Sequence, residues 1–508
     1  MTKNKQLAIN MSASIIAFAV NMGISFFLSP YIIKNVGVEA FGFVSLGNNF
    51  IQYASLIAIA LNSMAGRFIT IKYHQNDMEA VKIYFNSVII ANMAIAGFMF
   101  IPMCFCVIFL EKFVDIPAHI IGDVKILFAF LFINFLIGVI GATYSVAMFV
   151  KNKLYINSMR TIESNGIRAV SILFLFFCFV PRVSFVGFSA FLSAVYVIIF
   201  NIIYQKKLLP ELKFNLKYYK FKSILEIASA GIWNVLTKLG QILLDGLDLI
   251  ITNIFIDAQA MGVLAIVKTI PTLISGIIGT MVTAFAPNFT IEYAKGNTNE
   301  LIKSIKQSMK ILSLFTNIPI AILISMGYEF FALWVPTQNA GQLQILSIVT
   351  ISGYIISGSI NSIYNIFTVT NKLKTNSLLL LGTGVLSTLT VFTLLKTTNF
   401  GLYAVAGISA IFGIIRNLLF TIPFGAIYLK QKWYTFYFVV IRSVIGLGFT
   451  VIIGYLSKMF ININSWTFLT IAVVITVGTG LLCNIFFLLD KTERKYLLTK
   501  IKIIKSRE

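Results

Sequence analysis

Apolar stretches long enough to cross a lipid bilayer recur from one end of this chain to the other. A helix needs roughly 20 apolar residues to span about 30 Å of hydrocarbon. Fourteen stretches meet that length: residues 8 to 33, 41 to 71, 83 to 110, 124 to 149, 157 to 180, 184 to 204, 224 to 255, 260 to 290, 309 to 334, 343 to 369, 377 to 395, 401 to 427, 435 to 457 and 464 to 489. With 58% hydrophobic residues, 11% charged and a mean hydropathy of +0.90, the chain carries more apolar material than a water-soluble core could hide. The expected fold is an all-α integral membrane protein of about 14 transmembrane helices. The ten-residue alternation of a membrane β-barrel is absent. Stretches longer than the hydrocarbon imply tilted, bent or protruding helices. The first stretch is too long for a signal-peptide core and has no small-residue cleavage site, so it is expected to persist as a span.

The net charge of +22 would suggest a nucleic-acid partner in a soluble protein. Here the cations gather on alternate loops, 27 on one side against 6 on the other, which places both termini in the cytoplasm and removes the case for nucleic acid. Seven more, Arg67, Arg160, Arg168, Lys238, Lys268, Arg416 and Arg442, fall within the apolar stretches. Of these, Arg416 and Arg442 are expected at the membrane interfaces. Cys104, Cys106, Cys178 and Cys483 lack CxxC spacing and read as small core residues.

A basic segment containing Pro210, residues 205–222, divides six spans from eight. At an offset of 220 residues, Ala40-Phe41-Gly42 falls on Ala260-Met261-Gly262, and Thr70-Ile71-Lys72-Tyr73 falls on Thr290-Ile291-Glu292-Tyr293. The expected organisation is an N-lobe of helices 1–6 (1–204), a cytoplasmic linker (205–222) and a pseudo-symmetric six-helix C-lobe (223–430). Two further helices (431–490) and a basic cytoplasmic tail (491–508) follow. Parallel repeats of this kind place a substrate site at their interface.

The seventh span carries the densest polar signal. On an ideal helix Asn234, Lys238, Gln241, Asp245 and Asp248 share an arc of about 80°. Facing lipid, that stripe would cost several kcal/mol, so it is expected against protein or a water-filled cavity. A polar seam between helices is the simpler alternative, and Asp248 is the member expected to be wetted near the outer interface. The 220-residue offset carries Asn234, Gln241 and Asp245 onto Ser14, Asn21 and Ser25, which share a face with Asn10. It also joins Lys268, about 12 Å deep in its span, to Asn48. Asn48, Gln52, Ser55 and Asn62 form a second polar stripe, with Arg67 at its cytoplasmic edge near Lys72, where it would either line the cavity or reach headgroups. In the fifth span Arg160 and Glu163 are spaced to pair, and Arg168 sits deeper. Ser352, Ser357, Ser359, Asn361, Ser362 and Asn365 would serve either sugar binding or close helix packing.

No G-x-x-x-x-G-K-[ST] phosphate loop occurs, and His74 and His119 are isolated. Neither an enzyme nor a metal or organic cofactor is expected.

Two six-helix lobes with a trailing pair, the run Ser29-Pro30-Tyr31-Ile32-Ile33 and the segment Leu61-Asn62-Ser63-Met64-Ala65-Gly66-Arg67-Phe68-Ile69-Thr70 resemble the Wzx-type polysaccharide flippases. Their superfamily also holds lipid II flippases and MATE multidrug exporters. The resemblance implies a multi-pass protein of the bacterial inner membrane. Its substrate would be an oligosaccharide repeat unit on undecaprenyl pyrophosphate, flipped outward by alternating access for O-antigen or another surface polysaccharide. Membrane lipids, a polysaccharide polymerase and chain-length machinery are the partners implied. Pyrophosphate needs fixed cations, for which Lys238, Lys268, Arg67 and Arg168 are the candidates, and sugar needs hydrogen-bonding side chains. Na⁺ or H⁺ coupling would fall first on Asp245, then on Asp248 and Glu163. A MATE-like exporter of cationic drugs is the main alternative, disfavoured by the cationic balance of the deep residues. A membrane glycan polymerase or ligase is disfavoured by the short outer loops.

Overall fold

The computed structural model describes residues 3–490 and 493–494. Among these there is no strand. Fourteen helical spans are long and apolar enough to cross a membrane: α1 (Ser12–Val36), α2 (Val38–His74), α3 (Met78–Ile108), α4 (Ala118–Val150), α5 (Leu154–Cys178), α6 (Ser184–Leu208), α7 (Phe221–Gly246), α8 (Ala258–Thr283), α9 (Thr298–Trp334), α10 (Ala340–Val369), α11 (Leu373–Thr397), α12 (Leu402–Tyr428), α13 (Tyr437–Phe460) and α14 (Trp466–Leu488). The chain is a multi-pass membrane protein. The basic tail lies outside the described residues apart from Glu493 and Arg494.

Several turns share one construction. Asn76, Asn152 and Asn371 follow α2, α4 and α10 with φ of 58°, 53° and 56°. Asparagine tolerates this left-handed region better than other side chains, which stops each helix abruptly. After the first, Asp77 caps α3 by accepting from the Ala80 amide at 3.0 Å.

Packing groups the chain into two compact units, Met1–Ala265 with Leu380–Val385, and Ile266–Leu379 with Leu386–Glu508. Helix α7 thus belongs to the same unit as the six helices before it, packing on α2 and α3, and the boundary between the units falls within α8.

In the first unit α2 touches α3, α4 and α7, while α4 packs on α6, α6 on α5, and α5 on α1. Ile69, Val81, Phe85, Val88 and Ile89 form a buried cluster that also takes in Leu209 and Leu212 of the 205–222 segment. That segment is docked. Gln205 Nε2 donates to the Leu209 and Leu212 carbonyls at 3.1 and 2.8 Å, and Asn86 Oδ1 and Ser87 Oγ accept from the Asn215 and Lys220 amides. Helices α2 and α7 approach as closely as backbones allow, since a Cβ on Gly231 would lie 1.9 Å from the Ala60 carbonyl oxygen. Gly42 and Gly262, which the 220-residue offset pairs, also meet: a Cβ on Gly42 would lie 2.9 Å from the Gly262 Cα.

In the second unit α9 packs on α10, α13 and α14, and α10 on α12. Lipid tails are as apolar as leucine, so small residues and interhelical hydrogen bonds must hold such helices together. Buried Asn317 donates to the Ser443 carbonyl at 2.9 Å and to Asn484 Oδ1 at 3.0 Å. Asn484 in turn donates to Thr450 Oγ1 at 2.6 Å. Gly446, Gly454 and Gly480 make room, with Cβ positions 2.5 Å from Asn484 Oδ1, 2.2 Å from Ser325 Oγ and 2.7 Å from Thr450 Cγ2.

One expectation is corrected here. Arg416 is not interfacial: it lies in the middle of α12 and is only 8% exposed. Its Nη2 donates to the Tyr364 hydroxyl at 2.7 Å and to Asn417 Oδ1 at 3.2 Å, beside a π-helical turn at Asn417–Thr421. Charge in a span's second half suggests an interface by proximity alone, whereas here a neutral polar cage supplies what headgroups would. Arg442, by contrast, is in the second turn of α13 and pairs with Asp490 just beyond α14, at 3.1 Å.

Candidate functional site

The polar stripe of α7 begins on a regular helix, Phe221–Gln241, which then widens into a π-helical turn at Ile242–Gly246 before a short helix, Asp248–Phe255. A π turn replaces i→i+4 bonds with i→i+5 bonds and often marks a functional site. The Gly246 carbonyl is reached from α2, accepting from the Tyr53 hydroxyl at 2.6 Å and Asn49 Nδ2 at 3.2 Å. Sequence reasoning missed both donors, although their i, i+4 spacing on one face of α2 was a usable signal.

The wider turn resets the register, so the five-residue arc of an ideal helix does not survive intact. Asn234, Lys238 and Gln241 keep a common face. Asn234 Nδ2 donates to Ser63 Oγ at 3.1 Å, Lys238 Nζ to Gln52 Oε1 at 2.8 Å, and Gln241 Nε2 to Asp245 Oδ2 at 2.9 Å. Asp248 lies beyond the π turn and is 4% exposed, so it is buried rather than wetted.

Helix α2 supplies the matching surface. Asn48 and Gln52 are exposed, and Asn48 Nδ2 donates to the Val44 carbonyl. Arg67 is exposed with no hydrogen bond or ion pair among the described residues. Lys238 is half-buried, and its hydrogen-bond partner is a neutral amide oxygen, which orients the ammonium without cancelling its charge. Exposed amides and a half-buried ammonium within apolar helices are expensive against lipid, so this α2/α7 face requires water or ligand.

Other expected residues are placed differently. Asn10 is buried and fully engaged, donating to the Asn152 carbonyl and Oδ1 at 3.0 Å each and accepting from the Tyr155 amide at 3.0 Å, which ties the helical extension that precedes α1 to the turn before α5. Ser14 meets Ser158 at 3.1 Å. Asn21 is exposed on α1, and the Ser25 carbonyl accepts from Ser29. Asn62 exchanges hydrogen bonds with buried Asn92, which also reaches Thr143, linking α2, α3 and α4.

Glu163 pairs with Arg160 at 2.6 Å and accepts from the Tyr196 hydroxyl of α6. The Arg160 guanidinium also lies over Phe200, 4.9 Å from its centroid. Arg168 is half-buried on α5, its Nε hidden and unpartnered. Lys268 is half-buried in the second unit, on α8. In α10, Ser359 and Ser362 are buried and a Cβ on Gly358 would lie 2.8 Å from Thr316 Oγ1, so that stretch serves close packing.

Among the described residues no cluster of three or more His, Cys, Asp or Glu side chains could hold a metal ion.

No family model matches the chain. A protein of Bacillus subtilis (strain 168) described as uncharacterized membrane protein EpsK is 28% identical over 496 residues, 97% of this chain and 98% of that one. Among solved structures, lipid II flippase MurJ in an inward closed conformation superposes with a TM-score of 0.70 at 15% identity, covering 94% of this chain and 98% of its own. An inward-facing MATE family multidrug resistance transporter of the MOP superfamily gives 0.67 at 13% identity, covering 83% and 98%. A MOP superfamily transporter from Pyrococcus furiosus Vc1, described as having a binding pocket of reverse polarity, gives 0.59 at 14%, covering 83% and 95%. The chain has the fold these transporters and the flippase share.

Proposed function

We propose that the chain is a flippase for a lipid-linked anionic glycan, moving undecaprenyl-pyrophosphate-linked oligosaccharide repeat units from the cytoplasmic to the outer leaflet of a bacterial cytoplasmic membrane. The observation that carries this reading is the α2/α7 face. Lys238 is oriented by Gln52 and not neutralised, and Arg67 is exposed on the same α2 helix. Fixed cations of this kind stabilise a pyrophosphate that must leave water, while Asn48, Gln52, Asn234 and Gln241 offer donors and acceptors to sugar hydroxyls. The polyprenyl tail needs no site, because it stays in lipid. Arg168 and Lys268 are proposed as further cations on the route.

The MurJ likeness supports a lipid-linked substrate, and the 27 to 6 loop bias supports cytoplasmic termini. Alternating access is proposed as the mechanism, by rocking of the two six-helix lobes that the 220-residue offset suggests. Coupling to Na⁺ or H⁺ is proposed at Asp245, which sits in the π turn and is held by Gln241, with Asp248 and Glu163 as secondary candidates. A polymerase and chain-length machinery would consume the product.

The test is surface glycan in cells carrying Lys238→Gln or Arg67→Gln at normal protein levels. Export should fall in both. Undiminished export, or loss of cationic-drug resistance in its place, would refute the reading in favour of a MATE-like exporter. Proteoliposome transport indifferent to imposed Na⁺ and H⁺ gradients would remove the coupling.

A further inference from the structure

At the end of the second unit where α9 enters its bundle, α13 begins and α14 finishes, a cavity of about 120 Å³ lies between the three helices. It is roomy enough for several waters or one phosphate group, and too small for an oligosaccharide. Lys306, Lys310 and Arg442 line it with Thr435, against a single carboxylate, Asp490. The cations are built in. Lys310 is 6% exposed and pairs with Asp490 Oδ2 and Glu493 Oε2 at 2.8 Å each, and Arg442 Nη1 reaches Asp490 Oδ1 at 3.1 Å. Lys310, and then Arg442, hold the Asp490 carboxyl below the usual aspartate range, so it is ionised at neutral pH. With Glu493 counted beside Asp490, the three cations of the lining still leave one positive charge in excess. Lys306 is half-buried and makes no ion pair or hydrogen bond among the described residues.

The mouth of the cavity indicates where its anion comes from. Phe438 forms part of the lining, lies under the Arg442 guanidinium at 4.2 Å and is itself exposed. Ile441, Ile445 and Phe449 continue that exposed apolar face along α13 into the membrane span. A phosphate seated between Lys306 and Arg442 would therefore have hydrocarbon directly beside it.

We propose that this cavity binds the phosphate of an anionic membrane lipid, whose acyl chains lie along the exposed face of α13. Lys306 supplies the uncommitted charge, and Asp490 holds Arg442 and Lys310 in place. The site is independent of the transported substrate. Because it ties together α9, α13, α14 and the first residues after α14, its occupancy would set how firmly that end of the unit is closed.

The test uses the full-length protein in micelles, with lipid retention read by native mass spectrometry in a competition between phosphatidylglycerol and phosphatidylcholine. The wild type should retain phosphatidylglycerol preferentially. Lys306→Gln should cut that preference about fivefold, the effect of one cation near an anionic lipid surface, without changing Tm. Lys303→Gln, an exposed lysine on the same helix paired with Glu300 at 3.7 Å, should leave the preference intact. Equal retention of both lipids by the wild type, an unchanged preference in Lys306→Gln, or an equal loss in Lys303→Gln would each overturn the site. Displacement of phosphatidylglycerol by millimolar inorganic phosphate would assign the cavity to free phosphate and overturn the lipid.

Discussion

The α2/α7 pair and the α9/α13/α14 cluster use the same side chains for opposite ends. Both are rich in Asn, Ser and Thr, and both bring helices together at glycines. Around Asn317 and Asn484 the polar atoms are buried and bonded to one another, and the glycines are cut to fit them. Along α2/α7 the glycine contact at Ala60 and Gly231 closes part of the interface, while Asn48, Gln52 and Gln241 remain exposed. A satisfied polar network fixes helices; an accessible one with an uncancelled cation is available to a ligand. Composition alone does not separate the two, whereas burial and bonding partners do.

That contrast can be broken by mutation. The largest effect is expected from Lys238→Gln, which should weaken substrate handling about 30-fold or more, as loss of one partner from a desolvated charge pair does. Surface glycan measured at matched protein levels checks it. Asn484→Ala should instead leave transport per folded molecule intact and cost about 1–3 kcal/mol of stability, by stranding Asn317 and Thr450. Thermal unfolding in detergent distinguishes the two outcomes. Gly231→Ala forces a methyl into the Ala60 carbonyl and should cost about 1–3 kcal/mol, read the same way. Tyr53→Phe removes one of two donors to the Gly246 carbonyl, and about 0.5–1.5 kcal/mol is expected because Asn49 remains.

The smallest effect concerns pH. The folded pKa of Asp490 lies below its unfolded value of ~3.9, so its ion pairs contribute fully above that value and are lost as pH falls through the folded pKa. Proteolysis of the segment after α14 should be unchanged between neutral pH and mildly acidic pH and should accelerate only below ~3.9.

The fourteen spans were legible because a bilayer demands about twenty apolar residues irrespective of partners, and the stripe from Asn234 to Gln241 was legible because helical period exposes it. What failed depended on contacts distant in sequence or on departures from ideal geometry. Asp248 read as wetted because nothing local announces the π turn at Ile242–Gly246 or the packing that buries it. Asn10 read as a cavity residue because its partner, Asn152, is 142 positions away. Arg416 read as interfacial because its cage comes from Tyr364 on another helix. The spacing of Gly446 and Gly454 on α13, opposite Asn484 and Ser325, was a signal for the buried network that periodicity of apolar residues does not weigh.

The most direct test of the contrast is solvent access inside the membrane. In a background with Cys104, Cys106, Cys178 and Cys483 replaced by serine, single cysteines at Gln52, Gln241, Asn317 and Asn484 would be challenged with a charged, membrane-impermeant thiol reagent. Gln52→Cys and Gln241→Cys should react readily, and Asn317→Cys and Asn484→Cys should not. Equal protection at all four positions would mean that the α2/α7 face is a dry seam between helices, and the proposed substrate path would have to be abandoned.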